Sequence, residues 1–245
     1  MPNYHHFTTI ATPDGPMPTY ICAPEGGEPR PAVLVIQGMH GLNSTELKFA
    51  EHLADAGYVA AAPDLFHRGP ACFSPEQLSR RRRALNDPQV MGDVNATFGY
   101  LQAQSYVRTD CPMGILGFCM GGRVSYLVAG SLPNIGMAAV FYGGGIHAGE
   151  GGPAPIDLTP NIRCPVLVFD GEQDEHPSPE ENRKTAAALA RHAIVHELHL
   201  YPGVGHGFMG RPSTAATEAW AVTIDWLHRY LPVPQLAEAR LTEAR

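Results

Sequence analysis

Three reactive side chains lie in separate glycine-containing stretches of the sequence. Cys119 is the centre of GFCMG, Asp174 ends GEQD, and His206 lies within GHG. A thiol needs a base to become a thiolate, and the base needs a carboxylate on its other ring nitrogen. A cysteine, an aspartate and a histidine in this chain order therefore predict nucleophilic catalysis, with Cys119 as nucleophile, Asp174 as orienting acid and His206 as base.

The stretch around Cys119 predicts a sharp corner between a strand and a helix. The apolar run MGIL precedes GFCMG, and the apolar segment VSYLVA follows soon after it. Glycines two residues before and after the central residue suit such a corner, because side chains there would collide with neighbouring backbone. The helix N-terminus behind the corner would favour the Cys119 thiolate. The alternative is a structural cysteine in a glycine-rich turn.

The developing oxyanion of such a reaction needs fixed N–H donors. The corner supplies one, the backbone N–H of Met120. We expect the second from the loop after the first central strand, where Met39 is the candidate.

Strands and helices alternate along the chain and predict an α/β fold with a mostly parallel central sheet and helices on both faces. An antiparallel pair is expected over residues 5–23. The further strands are expected at 32–36, 58–62, 113–116, 137–142, 166–170 and 193–201. The main helices are expected from Ser44, as the N-cap, to the Gly57 stop, at 93–104, after Cys119, at 179–191 and at 214–230. Residues 1–231 are predicted to form one domain, and 232–245 a polar, loosely docked tail.

Composition and charge narrow the class of protein. The 245 residues carry a formal net charge of −7 with only 17 Lys and Arg, which argues against a nucleic-acid partner. No apolar run approaches a membrane span, and the first residues lack the pattern of a secretory signal, so we expect a cytoplasmic protein. The five cysteines, at 22, 72, 111, 119 and 164, have no paired spacings and are expected to be reduced thiols. No metal-binding or nucleotide-binding motif occurs, so no metal and no cofactor are predicted.

Several motifs together resemble the dienelactone hydrolase family, from about Phe7 to Leu231. They are GFCMGG, GLN before a helix, APDLF after the second central strand, GEQD and GHGF. The resemblance implies the α/β-hydrolase fold and a cysteine triad that opens an unsaturated lactone to an oxo-acid, which is carboxymethylenebutenolidase activity. It implies a small lactone or ester as substrate, and we expect a monomer or homodimer.

Two positions depart from the family pattern. Founding members carry a glutamate paired with the cysteine where this chain has Gly38, and an arginine where it has Gly210. These departures favour a relative with a different ester or lactone substrate. The expected substrate contacts are His40, Arg81, Tyr142 and Arg211.

Other assignments of the same residues stay open at this point. Asp170 ends a predicted strand and competes with Asp174 as the acid, and any of the four arginines at 80–83 could bind an anion or form a solvated helix face. The alternative function is a non-catalytic or redox-responsive member of the fold that binds a small molecule. A serine hydrolase is disfavoured because no Gly-x-Ser-x-Gly occurs.

Overall fold

A computed structural model describes residues 3–68 and 74–234 of the chain. The strands are β1 (Asn3–Thr12), β2 (Gly15–Pro24), β3 (Ala32–Ile36), β4 (Val59–Pro63), β5 (Met113–Phe118), β6 (Ile135–Phe141), β7 (Val166–Gly171) and β8 (His196–Tyr201). The helices are α1 (Ser44–Asp55), α2 (Pro75–Ala84), α3 (Asp87–Gln102), α4 (Met120–Ser131), α5 (Pro179–Arg191) and α6 (Thr214–Tyr230). Cys72 and most of the predicted tail, residues 235–245, lie outside the described residues.

The eight strands form one sheet in the order β1-β2-β4-β3-β5-β6-β7-β8. The β1–β2 and β2–β4 pairs are antiparallel, and every pair from β4–β3 to β7–β8 is parallel. This confirms the predicted opening pair and the mostly parallel α/β-hydrolase sheet. The parallel strands bring their carboxyl ends, and the loops that follow them, to the same edge of the sheet.

Helices cover both faces of the sheet, as predicted. Phe49 of α1 and Trp226 of α6 belong to the core cluster on one face. Val94 of α3, Val128 of α4 and Leu189 of α5 belong to the cluster on the other. Because β3 to β7 are covered on both faces, their sequences read as nearly continuous apolar runs.

Several element boundaries differ from the sequence prediction by a few residues, and local capping explains two of the differences. The helix α3 begins at Asp87, six residues before the predicted start, because the Asn86 side chain accepts the Gln89 N–H. The cap of α1 is Asn43 rather than Ser44, since the Asn43 side chain accepts the Thr45 N–H. The last strand begins at His196 rather than at residue 193.

A buried ion pair fastens the helix behind Cys119. The Arg123 guanidinium is 2% exposed and donates to both carboxylate oxygens of Asp87, at 2.6 and 3.0 Å. It also donates to the carbonyl oxygens of Gly145 and Ala148. The contact ties α4 to the start of α3 and to the loop after β6.

None of the helices in the described ranges has the length and apolar character needed to cross a membrane.

Candidate active site

Cys119 occupies a strained corner between β5 and α4. Its φ is 56° and its ψ is −115°, a backbone conformation that residues with a side chain rarely adopt. The Cys119 N–H donates to the carbonyl of Phe141 at 3.0 Å, and its own carbonyl accepts the N–H groups of Gly122 and Arg123. Backbone hydrogen bonds on both sides thus hold the strained residue in place, as expected when strain is retained at a functional position.

The two glycines that flank the corner are required by close packing of backbone. A Cβ added to Gly117 would overlap the carbonyl of Gly121, and one added to Gly121 would overlap the carbonyl of Ile36. The sequence analysis expected such collisions, and the structure identifies the atoms involved.

We expect Gly121→Ala to destabilise the protein by at least about 3 kcal/mol, because backbone atoms of β3 or α4 must move to admit the methyl group. The matched control is Gly99→Ala, also within a helix, where no atom lies within 4 Å of the added Cβ. That variant should be neutral or stabilised by about 0.5–1 kcal/mol. Urea unfolding measures both, and a Gly121→Ala protein as stable as the control would contradict the packing argument.

His206 and Asp174 form a hydrogen-bonded pair beside the corner. The Nδ1 atom of His206 lies 2.7 Å from Oδ2 of Asp174, whose Oδ1 accepts the His176 N–H at 2.9 Å. The Asp174 side chain is 2% exposed, whereas that of His206 is 39% exposed. Because Nδ1 is bonded to Asp174, Nε2 is the ring nitrogen of His206 that is available to accept the proton of the thiol.

Asp170, the alternative acid, faces different partners. Its carboxylate accepts the Gly171 N–H at 2.7 Å and the Asn182 side-chain amide at 2.5 Å. Burial, and then the charge of Asp174, raise the pKa of Asp170 to about 8. Of the two aspartates, the structure therefore brings Asp174 to His206.

The electrostatics of the site favour a thiolate and an imidazolium. Burial alone would raise the pKa of the Cys119 thiol, but its hydrogen bond to His206, the charge of His206 and the N–H groups of Met120 and Met39 together lower it. The hydrogen bond and charge of Cys119, followed by those of Asp174, raise the pKa of His206 to about 9. The same two N–H groups that the sequence analysis selected as oxyanion donors thus both point toward Cys119.

The site opens into a cavity of about 320 Å³. Of the expected substrate contacts, His40, Tyr142 and Arg211 line this cavity together with Cys119 and His206. The Tyr142 ring packs edge-on against the His206 ring, with 5.0 Å between centroids. A neighbouring cavity of about 370 Å³ shares Arg211, as well as Thr45 and Gly210, with the first.

Arg81 does not join the other expected contacts. Its guanidinium donates to the carbonyl of Phe66, and it lines a separate cavity with Leu65 and Arg68. The physical reason is that α2 turns this side chain toward the loop after β4 rather than toward Cys119.

Within residues 3–68 and 74–234, no group of three or more His, Cys, Asp or Glu side chains is arranged to hold a metal ion.

Sequence reasoning missed one acidic side chain in this cavity, Glu46 of α1. Glu46 is 4% exposed and lines the cavity together with Cys119. Its position three residues after Asn43 is the signature of a capping box, which the structure shows. That signature would have placed Glu46 at the start of α1, but not within the cavity.

Comparison with known proteins finds similar sequences and similar structures. The model of the dienelactone hydrolase family matches residues 17–231. A Synechocystis protein named carboxymethylenebutenolidase is 32% identical over 215 residues, which cover 82% of this chain and 87% of that protein. A Bradyrhizobium protein named 2-oxo-3-(5-oxofuran-2-ylidene)propanoate lactonase is 32% identical over 212 residues, covering 82% and 84% of the two chains. A crystal structure of a Klebsiella pneumoniae protein named dienelactone hydrolase superposes with a TM-score of 0.85 at 25% identity, covering 94% of this chain and all of that one.

Proposed function

This chain belongs to the dienelactone hydrolase family, and we propose that it hydrolyses a small lactone or ester through a Cys119 thiolate, with His206 as base and Asp174 as orienter. One observation carries the proposal. A thiol at a strained strand–helix corner adjoins a histidine whose Nδ1 lies 2.7 Å from a buried aspartate. This is the arrangement that acyl transfer by a thiol nucleophile requires.

In the first half of the proposed reaction, the Cys119 thiolate attacks the carbonyl carbon and forms a C–S bond. The carbonyl oxygen becomes an oxyanion, which accepts hydrogen bonds from the N–H groups of Met39 and Met120. As the intermediate collapses, the C–O bond of the ester or lactone breaks, and the leaving alkoxide or enolate takes a proton from the His206 imidazolium. A thioester on Cys119 remains.

In the second half, water attacks the thioester carbonyl and gives a proton to His206, while Asp174 holds the ring in place. The same two N–H groups stabilise the second oxyanion. Its collapse breaks the C–S bond and releases the acid, and Cys119 and His206 return to their starting states.

The cavity supports a small substrate. About 320 Å³ lies over Cys119, and Arg211 is a cation at the boundary with the neighbouring cavity. The lactone named for the Bradyrhizobium relative carries a carboxylate, and Arg211 is the residue we propose to face such a group here. The single domain over 1–231, the monomer or homodimer and the cytoplasmic location stay predictions from the sequence.

The experiment that tests the proposed function is hydrolysis of a dienelactone beside p-nitrophenyl acetate by the purified protein at pH 7. Preference for the dienelactone would support the family's lactone activity, and turnover of the simple ester alone would support a related hydrolase with another substrate. Stoichiometric labelling of Cys119 by iodoacetamide with no turnover of either compound would contradict hydrolysis and favour the binding alternative.

The shifted pKa values predict the pH dependence of this activity. The lowered pKa of Cys119 increases the thiolate fraction at a given pH, and the raised pKa of His206, about 9, keeps the imidazolium present until the pH exceeds that value. We therefore expect kcat/KM to fall above about pH 9, where the proton for the leaving group is lost.

Measurement of kcat/KM from pH 5 to 10 checks this profile. The Asp170→Asn variant is the control, because Asp170 also titrates in the alkaline range. If the alkaline decrease disappears in that variant, it belongs to Asp170, and the assignment of the upper limb to His206 is wrong.

A further inference from the structure

The loop that carries Met39 is held at both ends by one buried carboxyl group. Oε1 of Glu46 accepts the N–H of Gly38 at 3.3 Å, and Oε2 accepts the N–H of Asn43 at 3.2 Å. A capping box accounts for the contact with Asn43, but the contact with Gly38 reaches back eight residues, beyond what helix capping needs. Glu46 therefore joins the end of β3 to the start of α1 across the whole loop.

Between these two contacts the loop makes a tight turn. The Gly41 N–H donates to the Gly38 carbonyl at 3.2 Å, with Gly41 at a φ of 81°. The Asn43 side-chain amide donates to the Gly41 carbonyl at 3.0 Å. The Met39 N–H shares its peptide plane with the Gly38 carbonyl, so the hydrogen bond from Gly41 to that carbonyl orients it, while Glu46 holds the preceding peptide through the Gly38 N–H.

The Met39 side chain does not anchor the loop, so backbone contacts must set the position of the Met39 N–H. The Met39 side chain lies at the mouth of the cavity, where the residue is 43% exposed. Gly38 has no side chain to anchor the turn, and among the described residues that line this cavity Glu46 carries the only carboxyl group. The orientation of the second oxyanion donor thus depends on backbone contacts that Glu46 accepts.

We propose that Glu46 is a positioning residue for the oxyanion hole: it holds the Gly38–Asn43 loop so that the Met39 N–H faces the oxygen of the reacting carbonyl. The inference rests on the proposed function and adds to it a residue outside the Cys119, His206 and Asp174 set. Glu46 transfers no proton and contacts no reacting atom in this role. Its effect is confined to steps in which an oxyanion forms.

This confinement gives a test, because alkylation of a thiolate forms no oxyanion. Glu46→Ala should lower kcat/KM for p-nitrophenyl acetate by about 10- to 100-fold, mainly through kcat, since one oxyanion donor is no longer held in position. Alkylation of Cys119 by iodoacetamide, followed by mass spectrometry of the labelled peptide, should stay within about threefold of the wild-type rate. Burial and His206 affect the pKa of this thiol more strongly than the Met39 N–H does.

Two further variants separate positioning from helix stability. Glu181→Ala removes the equivalent capping-box residue of α5, whose Oε2 accepts the Ser178 N–H at 2.8 Å, and it does not line the Cys119 cavity. Glu181→Ala should lower Tm as Glu46→Ala does, by about 2–4 °C, and leave ester hydrolysis unchanged. Glu46→Gln keeps one acceptor oxygen, so one of the two backbone contacts can persist and the loss should shrink to about threefold to tenfold.

The inference is overturned if Glu46→Ala hydrolyses the ester within twofold of wild type, or if hydrolysis and alkylation fall together. If the alanine variant does not fold, Glu46→Gln serves as the test. Its loss of ester hydrolysis is then compared with its change in the rate of Cys119 alkylation. A wild-type protein without esterase activity would overturn the proposed function and this inference with it, whereas an active wild type with an unaffected Glu46→Ala would overturn only the inference.

Discussion

Cys119→Ala is expected to lower hydrolysis of both the dienelactone and p-nitrophenyl acetate by at least about 10⁴-fold. The alanine removes the sulfur that forms the acyl intermediate, and no other thiol among the described residues lines the cavity. The oxyanion donors, His206 and Asp174 remain, so substrate binding should persist with little residual turnover. Steady-state kinetics at pH 7, with substrate binding followed by calorimetry, measures the two effects separately.

Cys111→Ala is the matched control for this substitution. Cys111 is also partly exposed, but it lines a different cavity near the beginnings of β5 and β6, and burial raises the pKa of its thiol. Its replacement should leave turnover unchanged. Cys119→Ser should retain weak activity, since a hydroxyl at the same corner meets the same base but is far less readily ionised. A Cys119→Ala protein that keeps a tenth of wild-type turnover would remove this residue from the mechanism.

Asp174→Asn is expected to lower kcat/KM by about 10³-fold or more. The asparagine amide has no charged oxygen to accept the Nδ1–H of His206. The imidazole therefore loses its preferred tautomer, and its protonated form loses the stabilising negative charge. The substitution is isosteric, and Asp174 is buried, so thermal unfolding must accompany the kinetics. The pKa of His206 should fall in this variant, and the alkaline limb of the pH profile should move to lower pH.

Asp170→Asn tests whether the effect is specific to Asp174. Because burial and the charge of Asp174 raise the pKa of Asp170, its carboxyl keeps a proton to higher pH than an ordinary aspartate, and an amide imitates that protonated form. We expect a decrease of less than about tenfold. Equal losses in the two variants would mean that both carboxyl groups act on His206, contrary to the hydrogen bonds of the structure.

The sequence could predict the central site because its signals are local. The backbone collision at a strand–helix corner is a property of a few consecutive residues, so GFCMG predicts a corner around Cys119 without knowledge of the rest of the chain. The positions of Asp174 and His206 after later strands follow from the parallel order of the sheet, which places all these loops at one edge. The same reasoning selected Met39 and Met120, whose N–H groups both lower the pKa of Cys119.

Contacts between elements distant in sequence could not be predicted in this way. Arg81 belongs to a run of four arginines on α2, and helical periodicity leaves open which neighbour its side chain meets. In the structure the Arg81 guanidinium donates a hydrogen bond to the Phe66 carbonyl. For Glu46, the sequence pattern indicates only a helix-capping residue. The packing of α1 beside the end of β3 is what makes it a buried group in the cavity.

By itself, then, the sequence determined the alternation of strands and helices, the corner at Cys119 and the chain order of the three reactive groups, because each depends on steric preferences within a short segment. Only the tertiary structure decided that Asp174 rather than Asp170 meets His206, that Arg211 rather than Arg81 lines the cavity, and that Glu46 reaches Gly38. Those choices depend on side-chain directions and distances of a few ångströms between separate elements. Such distances are fixed only when the helices pack against the sheet.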